Sequence, residues 1–188
     1  MYFSERSRNP STSVLNTILQ TSDAMNRFEH IRHKPPTELK GPRELLLVLA
    51  PMRSNVNLSR IVRLAGCAGI TQLIQCGPGR VDREIARDAI DVVNITQRRS
   101  LAPVLDQLAA EGYQCVGLEQ TSGSESLFDF QFVSKTAIVI GSEREGLNQE
   151  ELNKLDRVVE IPVFGKPYSY NVATATTMAV YEYCRQFA

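Results

Sequence analysis

The chain of 188 residues lacks any closely spaced cysteine pair. Its four cysteines are scattered and form no C-x-x-C motif, which favours reduced structural thiols over a disulfide framework or a zinc site. The two histidines form an H-x-x-H pair, but no arrangement of carboxylates or thiols nearby completes a metal site. We therefore predict no metal. These residues are Cys67, Cys76, Cys115, Cys184, His30 and His33.

Long apolar runs are also missing. No stretch approaches the roughly 18 uninterrupted apolar residues of a membrane span. The first ten residues, M-Y-F-S-E-R-S-R-N-P, carry no apolar segment behind their charges, so they do not resemble a secretory signal. These absences predict a cytoplasmic protein without a membrane span, and the length fits one domain with a small appendage.

The chain has no net charge, which argues against a protein that coats nucleic acid by charge alone. The charges are unevenly distributed, however. Residues 1–63 hold ten Lys or Arg against five Asp or Glu, and the remainder has the opposite excess. Arginine predominates in the basic half, and its planar guanidinium suits phosphate. Solvated surface charges explain the same pattern, so both interpretations stay open.

The familiar nucleotide-binding patterns are absent as well. The segment G-P-G at residues 77–79 is not a G-x-G-x-x-G fingerprint, and no P-loop lysine motif occurs. These absences argue against a classical dinucleotide site.

From residue 44 onward, short apolar runs alternate with helical patterns. The runs show no in/out alternation, which is typical of parallel strands covered on both faces. They are residues 44–50, 71–76, 113–118, 136–141 and 157–162, and the predicted helices are 57–68, 82–89, 100–111, 149–154 and 171–186. This order predicts an α/β fold, an open parallel sheet covered by helices on both faces.

Residues 1–43 form a separate basic extension. The spacing of Val14, Ile18, Met25 and Phe28 predicts one amphipathic helix from about Thr12 to His30. The rigid pair at residues 35–36 ends this segment, so we place the main domain at residues 44–188. The extension either binds phosphate groups through its cations or packs on the core for stability.

The last segment contains no charged residue between Lys166 and Glu182. A helix starting near Asn171 is therefore expected to be buried on nearly every side. The loop before it is stiffened by prolines, and Ser169 and Asn171 are both suited to cap the helix. A ligand pocket beside a buried helix and an ordinary capped terminal helix are both consistent with this pattern.

Ligands of an open α/β sheet bind beyond the carboxyl ends of its strands, which directs attention to the loops there. After the first strand, an apolar stripe formed by Leu58, Ile61, Val62 and Ala65 predicts that Arg60 and Arg63 point outward. After the fourth predicted strand, Gly141 and Gly146 permit close backbone approach and hold Glu143 at the strand end.

Three segments together resemble the ordered motifs of the TrmH/SpoU branch of the SPOUT RNA methyltransferases. They are N-L-S-R-I-V-R-L-A-G-C-A-G, I-V-I-G-S-E-R-E-G-L and I-P-V-F-G-K-P-Y-S-Y-N-V-A-T-A. The resemblance extends from about residue 44 to the end. It implies a C-terminal trefoil knot, S-adenosyl-L-methionine bound in a bent shape, methylation of a ribose 2'-hydroxyl of tRNA or rRNA, and a homodimer.

The resemblance also implies site residues. The catalytic set would be Arg63, Asn57, Glu143, Ser169 and Asn171. Cofactor contacts would fall at Leu118, Glu119, Gly141, Gly146, Ile161, Tyr170, Asn171 and Ala173. RNA contacts would involve Arg53, Arg60, Arg63, Arg32 and Lys34. The chain has S-Y-N where the family commonly has S-L-N, and Leu64 where threonine commonly follows the arginine.

Two other functions compete with the methyltransferase. A knotted RNA-binding or assembly factor without transfer activity is disfavoured because the catalytic positions are intact. An unrelated α/β enzyme of small molecules is disfavoured by the basic first half and by the joint match of three motifs.

Overall fold

The computed structural model describes residues 28–32 and 34–187, which belong to two compact units divided after Glu38. The described part of the first unit contains neither helix nor strand. Most of the predicted helix from Thr12 to His30 lies outside the described residues, and residues 28–30 are not helical.

The second unit is built on one parallel sheet, in which the described residues supply seven strands. Their bounds are β1 Leu45–Leu49, β2 Gln72–Cys76, β3 Asn94–Arg98, β4 Gln114–Leu118, β5 Glu125–Ser126, β6 Thr136–Ile140 and β7 Arg157–Glu160. Across the sheet the order is β3-β2-β1-β6-β4-β7-β5, and every neighbouring pair is parallel. The prediction of an open parallel sheet is confirmed.

All five predicted strands are present, and two further strands occupy the edges. The edge strand β3 has the polar sequence N-I-T-Q-R, and β5 has only two residues. An edge strand has a neighbour on one side alone and tolerates polar residues, so neither strand produces the apolar run that identified the others.

Six helices lie in the described residues. They are α1 Asn55–Cys67, α2 Arg83–Ala86, α3 Ala89–Val92, α4 Ala102–Ala110, α5 Gln149–Leu152 and α6 Val172–Gln186. The single helix predicted over residues 82–89 is wrong, because Arg87 adopts a left-handed backbone with φ of 56° and divides it. Helix α1 starts two residues earlier than predicted, since the Ser54 hydroxyl accepts the Asn57 amide and caps it.

Apolar side chains form one core on each face of the sheet. In β1, Leu47 and Leu49 pack with α1 and α6, whereas Leu46 and Val48 pack with α4 on the opposite face. Successive side chains of a strand point to opposite faces, so a strand that is buried throughout must be covered twice. Coverage by helices on both faces is thereby confirmed.

Helix α6 is buried on one side only. Ala173, Thr176, Ala179, Val180 and Tyr183 face the core, while Tyr181 is 75% exposed. Burial on nearly every side was therefore a wrong expectation for a single chain, because no other element of the described residues covers the outer face with Thr174, Thr177 and Tyr181. No helix among the described residues has the length and apolar character needed to cross a membrane.

Candidate active site

The loops that follow β1, β4, β6 and β7 surround a cavity of about 570 Å³ at the carboxyl edge of the sheet. This volume falls in the range of about 300–1,000 Å³ that is typical of small-molecule sites. The predicted residues that line it are Asn57, Leu118, Glu119, Gly141, Glu143, Gly146, Ile161, Ser169, Tyr170 and Asn171.

Two glycines allow the loop after β6 to fold tightly against the cavity. A Cβ atom on Gly141 would lie 2.5 Å from the carbonyl carbon of Gly146, and Gly146 itself has φ of +63°. Backbone hydrogen bonds between Ser142 and Gly146 close the turn in both directions, at 3.1 Å each. Larger residues at either glycine would force the turn open.

Glu119 fixes this turn to the end of β4. Its Oε2 atom accepts the backbone N–H of Leu147 at 3.0 Å, and its Oε1 atom accepts that of Gln120 at 3.1 Å. A Cβ atom on Gly146 would clash with Glu119 Oε2, so only glycine leaves room for the carboxylate. The side chain therefore joins two walls of the cavity.

Glu143 joins the same turn to the loop after β1. Its carboxylate accepts the backbone N–H groups of Arg53 and Ser54, both at 3.0 Å, and the Asn57 side-chain amide at 3.3 Å. Burial by itself would raise the pKa of Glu143, but these donors, together with its own backbone N–H, lower it overall. The carboxylate is ionised at neutral pH.

A chain of hydrogen bonds continues from Glu143 to the start of α6. Asn57 Oδ1 accepts the side-chain amide of Asn171 at 3.2 Å, and Asn171 Oδ1 accepts the backbone N–H of Ala173 at 3.0 Å. These contacts set the orientation of both amides, because each one donates through nitrogen and accepts through oxygen. The capping role predicted for Asn171 is confirmed, whereas no hydrogen bond of Ser169 occurs in the described part of the chain.

Arg63 does not line this cavity. It lies on the exposed side of α1, six residues after Asn57, and forms no ion pair within the described residues. At about 100° per residue this separation is about 240°, so the two side chains leave the helix in different directions. The outward direction predicted for Arg60 and Arg63 is confirmed.

The other predicted contacts are placed as follows. Ala173 is buried outside the cavity with its backbone N–H bonded to Asn171, and Ala175 lines the wall instead. Arg53 is exposed beside Glu145, with a guanidinium–carboxylate distance of 3.8 Å. Arg32 and Lys34 are exposed in the first unit.

Several lining residues were not predicted. They include Ser142, Glu145, Glu160, Val163 and Ala175. Glu160 is the last residue of β7, and its carboxylate accepts the hydroxyl of Ser124 at 2.6 Å. The sequence could have indicated Glu160 as a lining residue, because it lies near the end of a predicted strand. In this fold ligands bind beyond the carboxyl ends of the strands.

The cavity combines apolar walls with carboxylates. Leu118, Ile161 and Val163 offer surfaces to a flat apolar group, while Glu119, Glu143 and Glu160 are acidic. Together with the parallel sheet, this defines an α/β protein with a strand-end pocket of the size typical of small-molecule sites.

The chain belongs to the SpoU rRNA Methylase family, whose model matches residues 44–181. This establishes the relationship that the three motifs indicated.

Curated relatives are RNA methyltransferases by name. The chain is 31% identical over 153 residues to a tRNA (guanosine(18)-2'-O)-methyltransferase of Mus musculus, and 29% identical over 190 residues to the Saccharomyces cerevisiae protein of the same name. It is 30% identical over 148 residues to a 23S rRNA (guanosine-2'-O-)-methyltransferase of Acinetobacter baylyi. The matches cover 78%, 97% and 76% of this chain but 10%, 13% and 60% of those relatives, so the chain spans only part of their length.

Solved structures share the fold. The SpoU methyltransferase AviRb from Streptomyces viridochromogenes, in complex with AdoMet, superposes with a TM-score of 0.68 at 26% identity and covers 79% of this chain and 62% of that one. A TrmH/SpoU tRNA modifying enzyme of A. aeolicus gives a TM-score of 0.72 at 24% identity, over 77% of this chain and 75% of that one. Strand order and register do not describe how a chain threads its own loops, so the trefoil knot stays a prediction.

Proposed function

We propose that this protein transfers a methyl group from S-adenosyl-L-methionine to a ribose 2'-hydroxyl of tRNA or rRNA. The observation that carries this proposal is the hydrogen-bonded chain Glu143–Asn57–Asn171, which joins the three motif loops around one cavity. The names of the relatives, all guanosine 2'-O-methyltransferases, support the same chemistry.

The cavity fits the cofactor. Its apolar walls at Leu118, Ile161 and Val163 suit an adenine ring, and its carboxylates suit a sulfonium and an ammonium group. The Gly141–Gly146 turn, which side chains at either glycine would force open, forms one wall of this cavity. When bound, the cofactor supplies an electrophilic methyl group. Tyr170 stands where the family commonly has leucine, and it lines the cavity.

The protein's own residues position the reaction. Glu143 holds the loop after β1, and Asn57 and Asn171 fix the orientation of each other's amide above the cavity. A guanidinium is a poor base because it stays charged, so Arg63 orients the hydroxyl and the adjacent phosphate of the RNA. Ser169, exposed at the rim, is suited to meet the ribose.

We also propose that the protein is a homodimer that acts in the cytoplasm. The first turns of the outer face of α6 present Thr174, Thr177 and the exposed ring of Tyr181, and the only charged residues of this helix are the paired Glu182 and Arg185. Val56 is exposed on the neighbouring helix α1. A face of this kind, with few charges and an exposed aromatic ring, is suited to pack against an equivalent face of a second copy.

Binding and transfer are tested separately. Calorimetry with S-adenosyl-L-methionine should show binding, and the tritiated cofactor should label total RNA on ribose 2'-oxygens. Binding of RNA and cofactor without transfer would favour an inactive assembly factor. Absence of binding to any RNA would favour an enzyme of small molecules. Mapping ribose methylation in RNA from a deletion strain would then identify the nucleotide.

A further inference from the structure

A second cavity, of about 630 Å³, shares a wall with the candidate active site. Ser142, Glu145 and Gly146 belong to both linings. The remaining walls come from the loop after β1, the loop after β2 and the start of α5. They are Ala50, Pro51, Met52, Arg53, Asn55, Pro78, Gly79, Asn148 and Glu151.

The loops that form this cavity are held in place by short-range contacts. The N–H of Gly77 donates to the carbonyl of Arg98 at 2.9 Å, and a Cβ atom on Gly77 would lie 2.9 Å from Pro51. Asn55 Oδ1 accepts the backbone N–H of Arg80 at 3.0 Å. The ends of β1, β2 and β3 are thereby packed side by side, and the cavity is preformed.

Four exposed arginines lie at or after these three strand ends: Arg53, Arg80, Arg98 and Arg99. The strands β1, β2 and β3 are neighbours in the sheet, so these arginines lie in a row along the same carboxyl edge. Arginine side chains are frequent partners of the phosphates of nucleic acids. Among the described residues, no carboxylate lies within ion-pair distance of the guanidinium groups of Arg80, Arg98 and Arg99.

The acidic residues near the row have other partners. Glu151 accepts the backbone N–H of Asn148 at 2.9 Å as part of a helix-capping box, and Glu145 lies 3.8 Å from Arg53. A cavity large enough for a nucleobase lies next to three arginines, Arg80, Arg98 and Arg99, that form no ion pair within the described residues. This combination matches a nucleotide better than an acidic peptide, which needs no such cavity.

We propose that the second cavity holds the base of an RNA nucleotide next to the methylated one, and that Arg80, Arg98 and Arg99 bind its phosphates. The shared wall at Ser142–Gly146 places the two sites within the reach of adjacent nucleotides. The inference rests on the proposed function, because it takes RNA as the substrate of the neighbouring site.

The arginine row is tested by charge removal at the two opposite edges of the sheet. Arg98→Gln/Arg99→Gln removes two charges from the carboxyl edge. The control, Lys135→Gln/Arg157→Gln, removes two charges at the amino ends of β6 and β7. Binding of unfractionated tRNA and of rRNA is measured on filters at several salt concentrations.

The first variant should flatten the slope of log affinity against log salt by about 1.5, because each phosphate contact contributes about 0.7–0.9. Affinity at 0.1 M salt should fall by more than about tenfold. Equal slopes and affinities for the two double variants would overturn the proposal. Calorimetry should give the same affinity for S-adenosyl-L-methionine in both.

The cavity is tested by photo-crosslinking. A benzoylphenylalanine at Pro78, which lines the cavity, should crosslink to RNA within a few nucleotides of the methylated position. The same group at Tyr113, which precedes β4 at the opposite edge, should not. Equal crosslinking from both positions, or none from Pro78, would show that the cavity does not hold RNA.

These measurements separate the two proposals. RNA binding and crosslinking are measured independently of methyl transfer. A protein that binds RNA through the arginine row but transfers no methyl group would therefore refute the proposed function alone. A protein that methylates RNA with the row neutralised and with unchanged RNA affinity refutes the further inference alone.

Discussion

At the scale of single residues, Glu143 makes the contacts on which the candidate active site depends most. Its carboxylate accepts from Arg53, Ser54 and Asn57 and thereby joins the loops after β1 and β6. The sequence shows only an acidic residue between two glycines. Because its partners lie about 90 residues earlier in the chain, the role of the side chain appears only when both loops are in place.

Glu143→Gln tests this role. The amide nitrogen of the variant cannot accept, so one backbone N–H loses its partner and unfolding free energy should fall by about 1–3 kcal/mol in urea titrations at pH 7. The glutamine side chain also carries no charge at any pH. It therefore makes no contribution to the change of the unfolding free energy with pH.

The pH dependence has a definite sign. The folded-state pKa of Glu143 is lowered, so its stabilising contribution is present above the unfolded pKa of about 4.3 and is lost as pH falls through the lower folded value. The free energy of unfolding of the variant should therefore fall less than that of the unchanged protein as the pH is lowered from about 5 to about 3. Parallel pH profiles for both proteins would contradict the assignment.

Arg63→Ala should abolish methyl transfer while S-adenosyl-L-methionine still binds. The guanidinium lies outside the cavity lining, so its loss leaves the cofactor contacts intact. We expect a decrease in rate of about a hundredfold or more, and an unchanged cofactor affinity by calorimetry. Arg157→Ala, at the opposite edge of the sheet, is the matched control. Loss of cofactor binding along with activity would show that the role assigned to Arg63 is wrong.

At the scale of elements, helix α6 connects stability with the site. Asn171 caps its first turn through Oδ1 and orients Asn57 through Nδ2, so one side chain serves both purposes. The loop before it, with exposed Phe164 and Tyr168, has few contacts of its own. The start of α6 therefore depends on Asn171.

Two substitutions separate the purposes of Asn171. Asn171→Ala should lower the unfolding free energy by about 1 kcal/mol, as is usual for the loss of a helix cap, and should also impair transfer. Asn171→Asp keeps the cap but loses the donor to Asn57, so it should recover most of the stability and little of the activity. Thr174→Ala, in the same turn and exposed, is the control. Full activity of Asn171→Asp would show that the hydrogen bond to Asn57 is dispensable.

At the scale of the whole molecule, the outer faces of α1 and α6 determine the expected assembly. Light scattering at micromolar concentration should give twice the monomer mass of 21.0 kDa. Tyr181→Glu should produce monomers, because a charge would be buried at the proposed interface. Measurement of the monomer mass for the unchanged protein would refute the homodimer.

The basic extension is tested by a truncated protein that begins at Gly41. It should fold and bind S-adenosyl-L-methionine, since the described sheet and cavity begin after this residue. If the extension binds phosphates through three or four cations, the salt slope of RNA binding should decrease by about three. A truncated protein with unchanged RNA affinity and slope but a lower melting temperature would show that the extension serves stability instead.

The sequence by itself was enough to locate the buried strands of the sheet, the buried face of α1 and the turn after β6. Continuous apolar runs located β1, β2, β4, β6 and β7, because a strand covered on both faces has no polar side. The stripe on α1 correctly placed Arg60 and Arg63 outward, and glycines marked the turn after β6. These features depend on local patterns, which a sequence displays directly.

Tertiary structure decided the rest. The polar edge strands β3 and β5, the break at Arg87 and the exposed outer face of α6 have no distinct local signature. The sheet order, which brings β6 between β1 and β4, decides that Glu143 meets Asn57 and that Arg63 lies away from their cavity. The physical reason is that the spacing of apolar residues indicates which side chains are buried. The contacts between distant loops depend instead on which strands become neighbours in the sheet.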